Sequence, residues 1–166
     1  MKLNKLWDGL KRIANGDYVL EGDLISEESI EIDLDDRLVV RGSVISKRSI
    51  KVERTLISGE GIKAGEGIKA GFGIKAGEGI EAGEGIKAGW GIEAGEGIKA
   101  GEGIKAGSFI HSEKRIFAGI SVYATSENCK KTITCAELRK GEICYGDLVI
   151  TKPEKDFRNS PKNNNS

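Results

Sequence analysis

The residues able to do chemistry in this chain are few, and their spacing argues against a reaction centre. His111 is the single imidazole available as a general base or metal ligand. It occupies an outward slot that lysine fills in neighbouring segments, and reads as a surface side chain. Cys129, Cys135 and Cys144 form no Cys-x-x-Cys pair and lack a second histidine to complete a tetrahedral metal site. They read as small buried or half-buried residues. Their odd number excludes a complete disulfide framework within one chain, so a reduced, cytoplasmic compartment is expected. Gly-x-Gly strings abound, but the strand-to-helix context that lets such a loop hold phosphate is missing. No catalytic residue, metal or cofactor is therefore assigned, and the chain reads as a non-enzyme.

What remains is the chemistry of contact, and it depends on a repeat. From Gly59 to Gly107 the chain reads Gly-Glu-Gly-Ile-Lys-Ala over and over, a stretch holding 17 of the 24 glycines. Isoleucine returns every sixth residue from Ile62 to Ile116, with alanine two residues later and a lysine or glutamate between them. Alternate residues of a strand point to opposite faces, so Ile and Ala point inward and the charge outward. A helix would smear a six-residue period around its surface and would not tolerate so many glycines. Each hexad is thus a short strand with a turn, the glycines taking corners that need positive φ or close backbone approach. Degenerate copies extend upstream through Val44 to Val52 and Leu24 to Ile32. A two-residue phase slip places an insertion, a bulging corner loop, in the acidic segment Asp33 to Asp36. Tyr18 to Val122 holds eighteen hexads.

The exceptions to the repeat set the length of one coil. Residues one coil apart stack at about 4.8 Å. With 18-residue coils, Phe72 lies over Trp90, Glu81 between Lys63 and Lys99, and Glu93 between Lys75 and His111. With 12-residue coils Glu81 would face Glu93. Opposite charges and aromatic pairs favour such neighbours and like charges oppose them, so the longer coil is preferred. Lys69, Lys87 and Lys105 form a like-charged column, relieved by a neighbouring glutamate column. The expected fold is all-β: a single-stranded triangular parallel β-helix of about six 18-residue coils, each with three hexads.

Helical spacing of Leu3, Leu6, Trp7, Leu10, Ile13 and Ala14, followed by Gly16, predicts an amphipathic helix over residues 2–15. It is read as a cap on the first open sheet edge, with a membrane-surface helix bearing Lys2, Lys5, Lys11 and Arg12 as the rival. The resulting organisation is a capping helix over residues 1–16, the β-helix over 17–124, an irregular coil or hairpin cap over 125–151, and a disordered tail over 152–166.

Composition narrows the partners. With 26 basic and 26 acidic residues the formal charge is zero, which argues against a nucleic-acid binder. No stretch is apolar enough to span a bilayer, so a membrane partner is not expected either. The outward aromatics are more telling. Phe72 and Trp90 replace the repeat's glutamate one coil apart, Phe109 follows one residue past the next slot, and Phe117 and Tyr123 replace lysine in other columns. Together with His111 these are the candidate protein-binding residues, because exposed aromatics anchor interfaces.

Two resemblances lie between about residues 18 and 124. Three-hexad coils with an aliphatic residue every sixth position resemble the hexapeptide-repeat β-helix of acyltransferases and γ-type carbonic anhydrases. That implies a trimeric enzyme binding an acyl donor. Segments such as Glu21-Gly22-Asp23-Leu24-Ile25-Ser26 and Arg41-Gly42-Ser43-Val44-Ile45-Ser46, in a β-helix flanked by tails, are similar to bactofilins, which implies a self-assembling structural subunit. A small, neutral, site-poor chain suits stoichiometric binding of a protein partner. The specific expectation is a bacterial immunity or antitoxin-type protein that neutralises a toxin.

Overall fold

The computed structural model describes residues 1–4, 9–120 and 131–152. It is a parallel β-solenoid of about seven turns with no helix among the described residues. Strands of mostly three residues stack in three columns. One column is an eight-stranded sheet running from Lys2–Leu3 through Ile30–Ile32, Ile50–Val52, Ile68–Ala70, Ile86–Ala88 and Ile104–Ala106 to Thr132–Cys135 and Asp147–Ile150. The second column holds Leu38–Val40, Leu56–Ser58, Ile74–Ala76 and Gly91–Ala94, and the third Val44–Ser46, Ile62–Ala64, Ile80–Ala82 and Ile98–Ala100. The ten-residue strand Phe109–Ala118 pairs with both, joining them into one thirteen-stranded sheet.

The register fixes the coil at three hexads through the repeat, with Ile62 opposite Ile80 and Ile80 opposite Ile98. One early circuit is two residues longer, and three pairings span it: Tyr18 faces Leu38, Leu24 faces Val44 and Ile30 faces Ile50. The extra pair lies where the phase slips, between Ile32 and Leu38, and the loop is anchored by Leu34, which is buried, and by a 2.8 Å hydrogen bond from Tyr18 Oη to Asp35.

The inward isoleucines and alanines form one continuous core; Ile86 is 1% exposed. Where serine takes the alanine slot, its hydroxyl is buried but satisfied. Ser58 Oγ donates to the Gly42 carbonyl at 2.6 Å, and Ser112 Oγ to that of Glu96 at 2.7 Å. Such pairing removes the penalty of a buried polar group.

The two glycines of each hexad have different reasons for being glycine. Positive φ occurs only at Gly16, Gly22, Gly119, Gly141 and Gly146 among the described glycines, so the repeat's corners do not need it. A Cβ at Gly77 would lie 2.1 Å from the Gly59 carbonyl oxygen one coil away, whereas at Gly79 the nearest atom would be 3.4 Å away. The first glycine lets the coils approach at strand spacing, and the second has room.

Two expectations need correction. The spacing of residues 2–15 predicts a capping helix, but its described part forms two short strands, and residues 5–8 lie outside the described residues. Lys2–Leu3 pairs with Ile30–Ile32, and the Glu31 and Asp33 amides donate to the Met1 and Leu3 carbonyls. Lys11–Arg12 pairs antiparallel with Tyr18–Leu20 around a turn at Gly16, whose φ is 95°. Strands satisfy the open backbone edge of the first coil with hydrogen bonds, as a helix could not. The number of coils is also about seven, against the six expected, because Thr132–Cys135, Glu137–Tyr145 and Asp147–Ile150 add parallel strands after the hexad phase is lost. The predicted tail, apart from Lys152, lies outside the described residues.

Three substitutions probe this architecture. Gly77→Ala should lower stability by about 2 kcal/mol or more, because backbone must move, while Gly79→Ala should be neutral or gain about 0.5 kcal/mol by restricting the unfolded chain. Thermal melts of the pair check the asymmetry. Ile86→Asp places a charge in the core and should abolish the native circular dichroism spectrum.

Candidate protein-interaction surface

The corner between the first and second columns presents Arg54, Phe72, Trp90 and Ser108 on successive coils. The Phe72 amide donates to the Arg54 carbonyl at 3.1 Å, that of Trp90 to Phe72 at 2.7 Å, and that of Ser108 to Trp90 at 2.7 Å. This backbone ladder stacks the two aromatics one coil apart, as the exceptions to the repeat predict. Both are half-buried, and the Arg54 guanidinium lies over the Phe72 ring at 5.1 Å from its centre. Arg54 stands three hexads before Phe72, so the coil length alone was enough to find it as a neighbour.

The other candidates are placed differently. Phe109 faces Gly91, and its ring fills the space a Cβ there would need, at 2.5 Å. The Arg139 guanidinium covers it 3.6 Å from the ring centre. Phe109 is thus engaged within the chain. His111 follows Lys75 and Glu93 in the second column, and its Nε2 lies 2.7 Å from Glu113. Glu113 also takes a hydrogen bond from Lys140, and Lys140 first and His111 second hold its carboxyl below the usual range. Phe117 stands in the third column beside Lys99 and Tyr145, on a different side of the solenoid. Tyr123 and Cys129 lie outside the described residues. Cys135 is buried, and loss of solvent raises its thiol pKa, whereas Cys144 is exposed; both are free thiols.

The charged columns frame these residues. Glu81 sits between Lys63, at 3.6 Å, and Lys99, at 3.0 Å, and Lys75 reaches Glu93 at 2.7 Å. The hydrogen bond from Lys99, followed by the charge of Lys63, lowers the Glu81 pKa against the opposing effect of burial. The first column differs. There Lys51, Lys69, Lys87 and Lys105 stack in register, and the last three form no ion pair among the described residues, so the glutamate corner beside them does not supply the expected relief. Compared with protein-family models, with curated proteins and with solved structures, the chain matches none.

Because its folded pKa is depressed, Glu81 contributes stability above the ordinary carboxylate pKa and loses it as pH falls through the lowered value. Exposed pairs contribute about 0.2–1 kcal/mol each and Glu81 makes two, so Glu81→Gln should melt roughly 1–8 °C below wild type at pH 7. The gap should close under strongly acidic conditions; melting curves across pH measure it.

Proposed function

We propose that this is a non-enzymatic protein-binding β-solenoid whose contact is anchored at the Phe72 and Trp90 corner. The observation that carries the reading is the placement of two large, half-buried aromatics on successive coils of a corner slot where the repeat otherwise needs nothing larger than glutamate. Apolar side chains in such a slot cost hydration without serving the core, which is the pattern of an interface anchor. The three strand columns form the flat sides of a triangular prism, and the charged columns supply a polar rim around the corner. A short, neutral, rigid surface of this kind fits stoichiometric neutralisation of a protein partner. The most specific form of the proposal is a bacterial immunity or antitoxin-type protein acting in the cytoplasm.

A second reading is favoured by a separate observation. At the last coil the strand Asp147–Ile150 leaves Leu148, Val149 and Ile150 exposed, at 42%, 40% and 58%. An apolar strand at the end of a sheet can accept another strand, as in a bactofilin-like self-assembling subunit. Filaments under electron microscopy would support that reading over a discrete complex.

The corner is tested by Phe72→Ala combined with Trp90→Ala. The double variant should keep its circular dichroism spectrum and lose only the modest contact energy of the corner, such as that of Arg54 over the Phe72 ring, about 1–2 kcal/mol. Its affinity for a partner recovered from the native host should fall at least roughly thirtyfold per residue, since interface aromatics often contribute about 2 kcal/mol or more. Unchanged affinity places the contact elsewhere, and a collapsed melt makes the aromatics structural.

A further inference from the structure

The first column carries an electrostatic arrangement that the fold does not need. In the second and third columns glutamates interrupt the lysines, and each such glutamate is bridged by the lysine one coil away. In the first column Lys69, Lys87 and Lys105 stack directly on one another with no ion pair among the described residues. Like charges opposite each other on neighbouring strands are destabilising. The glutamate that relieves this elsewhere would fit here equally well, because the outward slot is the same.

Three residues before each of these lysines stands a glutamate of the preceding corner: Glu66, Glu84 and Glu102. Their backbones also stack coil on coil, the Glu84 amide donating to Glu66 and the Glu102 amide to Glu84, both at 3.2 Å. Glu84, Glu102 and the lysines Lys69, Lys87 and Lys105 line one open groove along this side. The side therefore bears two parallel lines of opposite charge with one common rise, about 4.8 Å per coil.

We propose that this side is an interface between two copies of the chain. Rotation by half a turn about a line parallel to the solenoid axis, between the two charge lines, brings Glu66, Glu84 and Glu102 of one copy opposite Lys69, Lys87 and Lys105 of the other. The same rotation does the reverse, so each rung is matched twice without axial slip. A two-fold contact of this kind is self-complementary and closed. The occupant is argued from charge: the complementary line is present on the chain itself, at the matching rise, and zero net charge leaves no overall repulsion to oppose approach. A nucleic acid would bring phosphates as close to the glutamate line as to the lysines. The dimer leaves the Phe72 and Trp90 corner at its margin, so the inference stands apart from the proposed partner site.

Exposed ion pairs are individually weak, so the association should be sensitive to salt. The Debye length falls from about 30 Å at 0.01 M salt to about 3 Å at 1 M, and the dimer constant should weaken at least roughly tenfold over that range. Analytical ultracentrifugation of the full chain reads this directly. Lys69→Glu with Lys87→Glu and Lys105→Glu should give a monomer at low salt. Glu66→Lys with Glu84→Lys and Glu102→Lys should do the same, and an equimolar mixture of the two should restore the dimer. The milder triple change to glutamine at the three lysines should also give a monomer, and serves if either reversed variant is misfolded by circular dichroism. A monomeric wild type at low salt, a dimer indifferent to the glutamine changes, a mixture of folded reversed variants that stays monomeric, or growth into longer species would each overturn the proposal.

Discussion

Every side chain in the repeat has as its neighbours the residues three hexads before and after it. That condition follows from parallel backbone pairing at one coil per strand spacing, and most of the structure depends on it. Coils can approach so closely because the first glycine of each hexad leaves room for the carbonyl oxygen one coil away, as at Gly77 over Gly59. The core needs only an isoleucine and a small residue per hexad, and the small one can be serine when a carbonyl is within reach.

Surface chemistry is governed by the same stacking. A single change in one hexad acts on two neighbours, so Glu81 meets both Lys63 and Lys99. Aromatics come to occupy the same corner slot on successive coils, and an arginine one coil before Phe72 comes to cover its ring. Columns consequently behave as units. In two of them a glutamate bridges its lysine neighbours, while the Lys69, Lys87 and Lys105 column has no such bridge among the described residues.

Much of this was legible in the chain because periodic sequences constrain their own alignment. The exceptions at Phe72, Trp90, Glu81 and Glu93 were enough to choose three hexads per coil over two, and the acidic insertion marked the one longer early circuit. Legibility ended where the period ended. Leu3, Leu10 and Ile13 satisfy a helical spacing, yet an open parallel edge gains more from strand pairing, which amino-acid spacing over so short a segment does not encode. Beyond Val122 the hexad phase disappears from the sequence, and the strands from Thr132 to Ile150 are held in line by backbone pairing, with register shifts where Glu137–Tyr145 meets Phe109–Ala118. For the same reason Arg139 over Phe109 had no counterpart in the spacing.

The uniform core has an evolutionary consequence. Because all three columns use the same Ile and Ala inside, loss or gain of one hexad by slippage of the repeated coding sequence would leave the interior filled. Outside, that event would rotate every downstream residue onto the next side of the solenoid. Loss or gain of three hexads would keep each residue on its side and change only the length. Selection on the fold is thus blind to steps of a single hexad, whereas selection on any surface function accepts only steps of a whole coil.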